Sequence, residues 1–330
     1  MRKPRSFRPR AIASICLAAA QLAWLGAPRA DAIPTAAMAF REIELTSREG
    51  NVATLGFVPL ATGKLYWAVE RGGVAQLYTY DLASQKVSEL TGVIPPSFLP
   101  SGFAWSPDGR QAALVRGSVL KLVSVDHRNT QDLFLGMGQW GAMFWTPNHF
   151  ILTACAPDAQ TARKLCGIDT STGFVTTLPS PGAGSVYAVG YVEGANKLIY
   201  ERWNPGEGAS PVHLYSASIF SDHVGNLLPL SYPDIRSEGY VTVTPDGSYG
   251  VTLGRASQAK TQDPDVYLGD FAAGNWMRMR SPSGWGKPVM AILSPDHRQL
   301  VVATSGDKGG YRLWQADVPA DLMKRLDTMH

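Results

Sequence analysis

The sequence predicts an all-β fold: a six-bladed β-propeller of four-stranded antiparallel blades, with the ring closed by an N-terminal strand. Three observations predict it. A proline–aspartate corner recurs between short apolar runs, a second aspartate recurs in phase with it, and helical periodicity is confined to Pro319–Leu326.

The corner is clearest in Phe103-Ala-Trp-Ser-Pro-Asp-Gly109, before Gln111–Val115, and in Val241-Thr-Val-Thr-Pro-Asp-Gly247, before Tyr249–Leu253. Ala291–His297 and Met143–Asn148 are close copies, and Leu55–Gly63 and Val189–Gly194 are weaker ones. Proline presets φ for a turn's second position, aspartate bonds its own backbone, and glycine accepts positive φ. The flanking runs are rich in β-branched and aromatic residues, as strands are. Taking Leu60, Ser106, Thr146, Val192, Thr244 and Ser294 as markers, the repeats lie 40 to 52 residues apart. That spacing suits one four-stranded blade each.

The second marker follows about 20 residues later, within one blade period. It is Asp81, Asp126, Asp169, Asp270 and Asp317, each at the end of a short strand, and the fourth repeat lacks it. Such an acid caps the turn into a blade's outer strand. Blades are thus expected near 49–97, 98–136, 137–181, 182–232, 233–282 and 283–330. A seventh, degenerate repeat within 201–236 is the alternative. If Pro319–Leu326 is a short helix, the last blade lacks an outer strand. Phe40–Leu45, in the 33–48 leader, is expected to fill that gap and remove two open sheet edges.

Residues 1–32 read as a secretory signal. Arg2, Lys3, Arg5, Arg8 and Arg10 precede an apolar run from Ala11 to Ala27, and Ala30-Asp31-Ala32 places cleavage after Ala32. The run is short for an anchor, which needs roughly 20 apolar residues. The expected location is periplasmic or secreted, with no membrane span after cleavage. The segment holds 6 of the chain's 30 basic residues and 1 of its 27 acids, so the remainder carries a net charge of about −2. No electrostatic case for nucleic acid survives. Cys155 and Cys166 remain, an even count that favours one disulfide across neighbouring strands; two buried thiols are the alternative.

The Ser/Thr-Pro-Asp-Gly corner between apolar strands, intact at 106–109 and 244–247, resembles the TolB-like or WD40-like Pro-Asp propeller repeats over most of residues 50–318. That resemblance implies a propeller and a periplasmic, protein-binding role. TolB proteins also carry an N-terminal α/β domain, for which about 15 residues between the cleavage site and the first blade leave no room. Related propellers precede serine peptidases, but no Gly-x-Ser-x-Gly elbow occurs here.

In a propeller the loops into the inner strands, and those joining second to third strands, share one face. Mapped there are Arg71, Arg116, Trp140, Arg163, Tyr187, Glu201, Arg202, Trp203, Glu238, Tyr240, Arg255, Asp265, Trp285 and Lys287. Aromatic and arginine side chains are common recognition anchors, although some of these aromatics should pack between blades. The carboxylates Glu70, Glu201, Glu238, Asp263, Asp265 and Asp307 map to the same face and could do acid–base work or hold calcium. The histidines cannot assemble a metal site: His149 and His297 fall on the opposite face, His127 and His223 near outer turns, and only His213 approaches the mouth. The expected function is a monomeric binding scaffold for a protein or peptide, with no cofactor and no metal. A carbohydrate-active or lactone-cleaving enzyme, and a glycan or small-molecule sensor, are the alternatives.

Overall fold

A computed structural model describes residues 33–45, 49–59, 63–72, 74–90, 102–126, 129–136, 138–158, 160–178, 184–203, 213–219, 224–230, 235–256, 263–282, 284–306 and 310–329. The expected signal segment and its cleavage site lie outside them, as do His127, His223 and Asp307. Six sheets form the ring. The first blade is β3 (Asn51–Phe57), β4 (Lys64–Arg71), β5 (Val74–Asp81) and β6 (Lys86–Glu89). The second is β7 (Gly102–Trp105), β8 (Gln111–Arg116), β9 (Val119–Ser124) and β10 (Thr130–Phe134). The third is β11 (Gln139–Trp145), β12 (Phe150–Ala156), β13 (Lys164–Asp169) and β14 (Val175–Leu178). The fourth, β15 (Ser185–Val192), β16 (Lys197–Trp203), β17 (His213–Ile219) and β18 (Val224–Pro229), takes up the region where a seventh repeat was the alternative. The fifth has β19 (Ile235–Val243), β20 (Tyr249–Ala256), β21 (Asp265–Asp270) and β22 (Asn275–Met279). The sixth has β23 (Lys287–Leu293), β24 (Gln299–Ser305) and β25 (Tyr311–Asp317), followed by helix α1 (Ala320–Thr328).

Burial explains the sequence pattern. Second strands lie between two neighbouring blades, so both of their faces are covered and they read as continuous apolar runs. Ala112–Val115 of β8 and Leu300–Thr304 of β24 are buried throughout. Inner strands alternate instead, as β15 does at every second residue. Five of the six inner strands also break register against their second strand: β3, β11, β15, β19 and β23. Such irregularities increase local twist, which a blade needs between channel and perimeter.

The corners have a common construction. In the second blade the Ser106 hydroxyl donates to Asp108 at 2.6 Å and accepts from the Gln111 amide at 2.9 Å. Thr244 with Asp246 and Tyr249, and Ser294 with Asp296 and Gln299, repeat both bonds. These hydroxyls are buried but satisfied, so the polar corner can sit at the end of an apolar strand. The Ser106 bond, with the Arg110 amide behind it, holds the Asp108 carboxyl below its usual range. In five blades the residue after the third strand, and in the fourth blade that strand's last residue, Ile219, donates its amide to the carbonyl just before the second strand, at 2.8–3.0 Å. The second aspartate marker works as expected: Asp81, Asp169 and Asp270 each accept two backbone amides of the following turn. Asp317 does not lead into such a turn, because α1 follows it.

Closure is by the N-terminal segment. β2 (Arg41–Glu42) pairs antiparallel with β25 and completes the sixth blade, and the Ile43 amide extends the ladder to Leu313 at 2.8 Å. Ile43 is buried among side chains of the first and sixth blades, and the Trp67 indole reaches the Tyr311 hydroxyl at 3.0 Å across that seam. One element was not anticipated. β1 (Thr35–Ala36) runs parallel to β22 as a fifth strand of the fifth blade, and Ile33 is buried beside Val192, Tyr267 and Trp276. Two residues are too few for a legible strand pattern, and the tertiary edge supplies the pairing instead. Cys155 on β12 and Cys166 on β13 form a disulfide.

Two outcomes follow from this geometry. Gly247 has φ +74°, and a Cβ there would lie 2.6 Å from Val192 Cγ2 of the preceding blade. Gly247→Ala should lose about 1–3 kcal/mol in urea unfolding. Gly63→Ala, with nothing near its Cβ, should change stability little. A Cys155→Ser, Cys166→Ser double variant should lose about 2–3 kcal/mol through the loop freed in the unfolded chain. Unchanged unfolding midpoints would contradict both.

Candidate functional site

Strand polarity sorts the loops. The proline–aspartate corners and the aspartate-capped outer turns share one face. The links from second to third strands, and from one blade to the next inner strand, share the other. Arg71, Arg116, Arg202, Trp203 and Arg255 lie in the last residues of second strands at this second face. Trp140, Tyr187 and Lys287 lie in the first three residues of inner strands there, Asp265 starts a third strand, Arg163 immediately precedes β13, and Trp285 lies two residues before β23. Glu238 and Tyr240 lie further along β19; the positions of their side chains, like that of Trp203, are outside the description.

Neighbouring contacts divide these residues into three groups. On one side of the ring Arg71 and Arg116 are exposed, and Arg71 pairs with Glu49. Trp140, between the second and third blades, is a packing residue: it is 7% exposed, and its indole donates to the Gly117 carbonyl at 2.8 Å. A second group spans the third and fourth blades. Arg163 lies over the Tyr187 ring at 5.0 Å, and its carbonyl accepts from the Val186 amide at 3.1 Å. Tyr187 stands in register with Glu201 on β16. Glu201 is 6% exposed, and its Oε1 has no hydrogen-bond partner among the described residues. Burial pushes its carboxyl up to about 7. An acid held near neutrality can give or take a proton at physiological pH.

The third group is a cleft of about 350 Å³ between the fifth and sixth blades, walled by Asp263-Pro264-Asp265 on one side and by Pro282, Trp285 and Pro288 on the other. Asp265 pairs with Arg278 at 2.8 Å; burial raises its carboxyl and the guanidinium pulls it back. Trp285 is 2% exposed and packs against Phe40 and Trp314, with ring centroids 4.8 and 6.3 Å away. It therefore presents little surface of its own. Lys287 is exposed beside it. Sequence reasoning missed Arg278 and the proline walls of this cleft. The prolines on either side, at 264 and at 282 and 288, were its visible signal. Among the described residues no three His, Cys, Asp or Glu side chains are placed to hold a metal ion. No helix among them is long and apolar enough to cross a membrane.

The fold is that of the TolB-like and WD40-like propellers. No family model matches the sequence, and no curated protein matches it either. Solved structures do match. TolB from Acinetobacter baumannii is similar with a TM-score of 0.54 and 15% identity, over 78% of this chain and 64% of that one. An oligogalacturonate lyase from Vibrio parahaemolyticus gives 0.54 and 14%, over 88% and 99%. A calcium-binding regucalcin from Agrobacterium tumefaciens gives 0.57 and 13%, over 86% and 96%. At such identities the likeness carries the fold and not the activity.

Glu201 gives a pH signature. Its folded carboxyl holds a proton more tightly than the unfolded one, so the stability it contributes is complete below its ordinary value of 4.5 and is lost as pH rises through about 7. Wild-type stability should therefore fall by up to about 3 kcal/mol between pH 5 and pH 8 from this group. Glu201→Gln should flatten that fall in urea titrations. Parallel pH profiles for the two proteins would contradict the assignment.

Proposed function

We propose that this protein is an exported propeller scaffold that binds an envelope or secreted protein or peptide through the loop-bearing face. It acts by shape and mixed-charge complementarity and without a cofactor. The observation that carries the reading is convergence: arginines from the first five blades, and Lys287 from the sixth, come to the rim of one face. Arginine at a rigid rim offers planar, multidentate donors to carboxylates and backbone carbonyls. β16 and β20 end at this face and β17 and β21 begin there, and the sequence joining each pair is long, so a scaffold can vary it without disturbing its core. The Cys155–Cys166 disulfide is in keeping with an oxidising compartment.

One observation favours a second reading. Glu201 is a buried carboxyl held near neutral pH, which suits a general acid in a carbohydrate-active or lactone-cleaving site. A second acid for such a pair would come from Glu238 or Asp265 on the neighbouring blade. The binding reading is preferred because Asp265 is already engaged by Arg278.

The two readings separate experimentally. Immobilised protein should recover a specific envelope partner, and Trp203→Ala or Arg202→Ala should reduce recovery at least about tenfold, as loss of an interface anchor does. Undiminished recovery by both variants would remove the rim from the interaction. Turnover of a polysaccharide or lactone that disappears in Glu201→Gln would instead establish the enzyme.

A further inference from the structure

We propose that the recess between the N-terminal segment and the link from the fifth blade to the sixth binds a small aryl monocarboxylate. This site goes beyond the binding face described above and uses neither the rim arginines nor Glu201.

The recess comes first. It has a volume of about 240 Å³ and lies between residues 37–40, which join β1 to β2, and residues 280–282, which follow β22. An apolar cavity of about 150 Å³ is enough to hold benzene, so one ring with its carboxylate fits here. Met38, Phe40 and Pro282 supply the apolar walls, and all three are only half-buried, so each keeps surface open to a ligand. A thioether and an aromatic edge both favour an aromatic guest. The walls are fixed before anything binds. The Arg280 amide donates to the Ala36 carbonyl at 2.9 Å, and the Phe40 ring packs on Trp285 with centroids 4.8 Å apart.

Charge comes second. Arg280 and Ser281 line the same recess and are exposed. Arg278, two residues earlier, is matched by Asp265, whereas Arg280 has no carboxylate partner among the described residues. A planar guanidinium takes a carboxylate through two parallel hydrogen bonds, and the neighbouring hydroxyl can donate a third. Asp263 sets the limit on charge. It is exposed in the adjoining cleft, which shares Ser281 and Pro282 with this recess. A second negative group on the ligand would meet that carboxylate, so a monoanion is selected over a dianion. The ligand would touch both the closing segment and the blade it covers, and so binds the folded ring in preference to the unfolded chain.

The probe is benzoate, titrated into the full chain by calorimetry at constant ionic strength, with thermal unfolding measured alongside. Saturable binding of one equivalent is expected, with a Kd of about 0.1–2 mM and a rise in thermal midpoint of about 2–4 °C near saturation. Arg280→Gln should weaken binding at least about tenfold and leave the midpoint of the unliganded protein unchanged, because its side chain is exposed. Ala39→Trp, which fills the recess from an exposed position, should abolish binding. Benzyl alcohol and phenyl phosphate should each bind at least about tenfold more weakly than benzoate. Four results would overturn the proposal. One is equal affinity of Arg280→Gln and wild type, and another is an equal loss in Arg110→Gln on the opposite face, which would mark diffuse attraction. The third is undiminished binding of benzyl alcohol, which would leave the guanidinium without a role. The last is tighter binding of phenyl phosphate, which would assign the recess to a phosphorylated ligand.

Discussion

A ring of wedge-shaped sheets is stable only if its first and last members are joined, and here one short antiparallel pairing does the joining. Arg41 and Glu42 complete the sixth blade against Trp314 and Gln315, and the chain then runs on through Ile43 to the first blade. Every inter-blade seam depends on this closure. Each blade buries both faces of its central strands against two neighbours, and an open seam would expose two such faces at once. The fifth strand on the fifth blade extends the same device. Residues 33–45 thus cover the outer edges of two adjacent blades with one continuous segment.

Given closure, the two ends of the ring take on different duties. One end carries the corners, where buried hydroxyls, aspartates and positive-φ residues leave few groups free to vary. His149 and His297 occupy the place of the motif's glycine there, with φ of 64° and 61°, and His297 makes an inter-blade contact with Asp246 at 3.1 Å. The other end carries loops whose lengths differ from blade to blade. A binding or catalytic surface can be changed at that end without touching the turn chemistry that sets the fold.

The fold was legible because its signal is local and repeated. Ser106-Pro107-Asp108-Gly109 and Thr244-Pro245-Asp246-Gly247 encode a turn within four residues, and their spacing counts the blades. The closing strand could be inferred because the sixth repeat ends in a helix and needs a fourth strand. β1 could not be read, because its pairing is made by the edge of β22 and not by any pattern in Thr35–Ala36. The site was legible only as a map of strand ends. Polarity placed Arg71, Arg116 and Arg163 at the rim, but burial is a tertiary property. No local feature separates Trp140 and Trp285, which pack, from residues that face solvent, nor marks Glu201 as an acid enclosed between blades. Arg278 escaped notice because its partner Asp265 lies in the adjacent strand and reaches it only through sheet register.

The closing pair also sets a timetable for synthesis. Arg41 and Gln315 are nearly a whole chain apart in sequence, so their contact cannot form until the ribosome has released almost everything between them. Individual blades are local and can assemble early, whereas the circle stays open until the end. During that interval the flanks of the first and sixth blades are unpaired and apolar, a state open to mispairing with other chains. Chaperone dependence and truncation sensitivity in this molecule would therefore concentrate at its two termini.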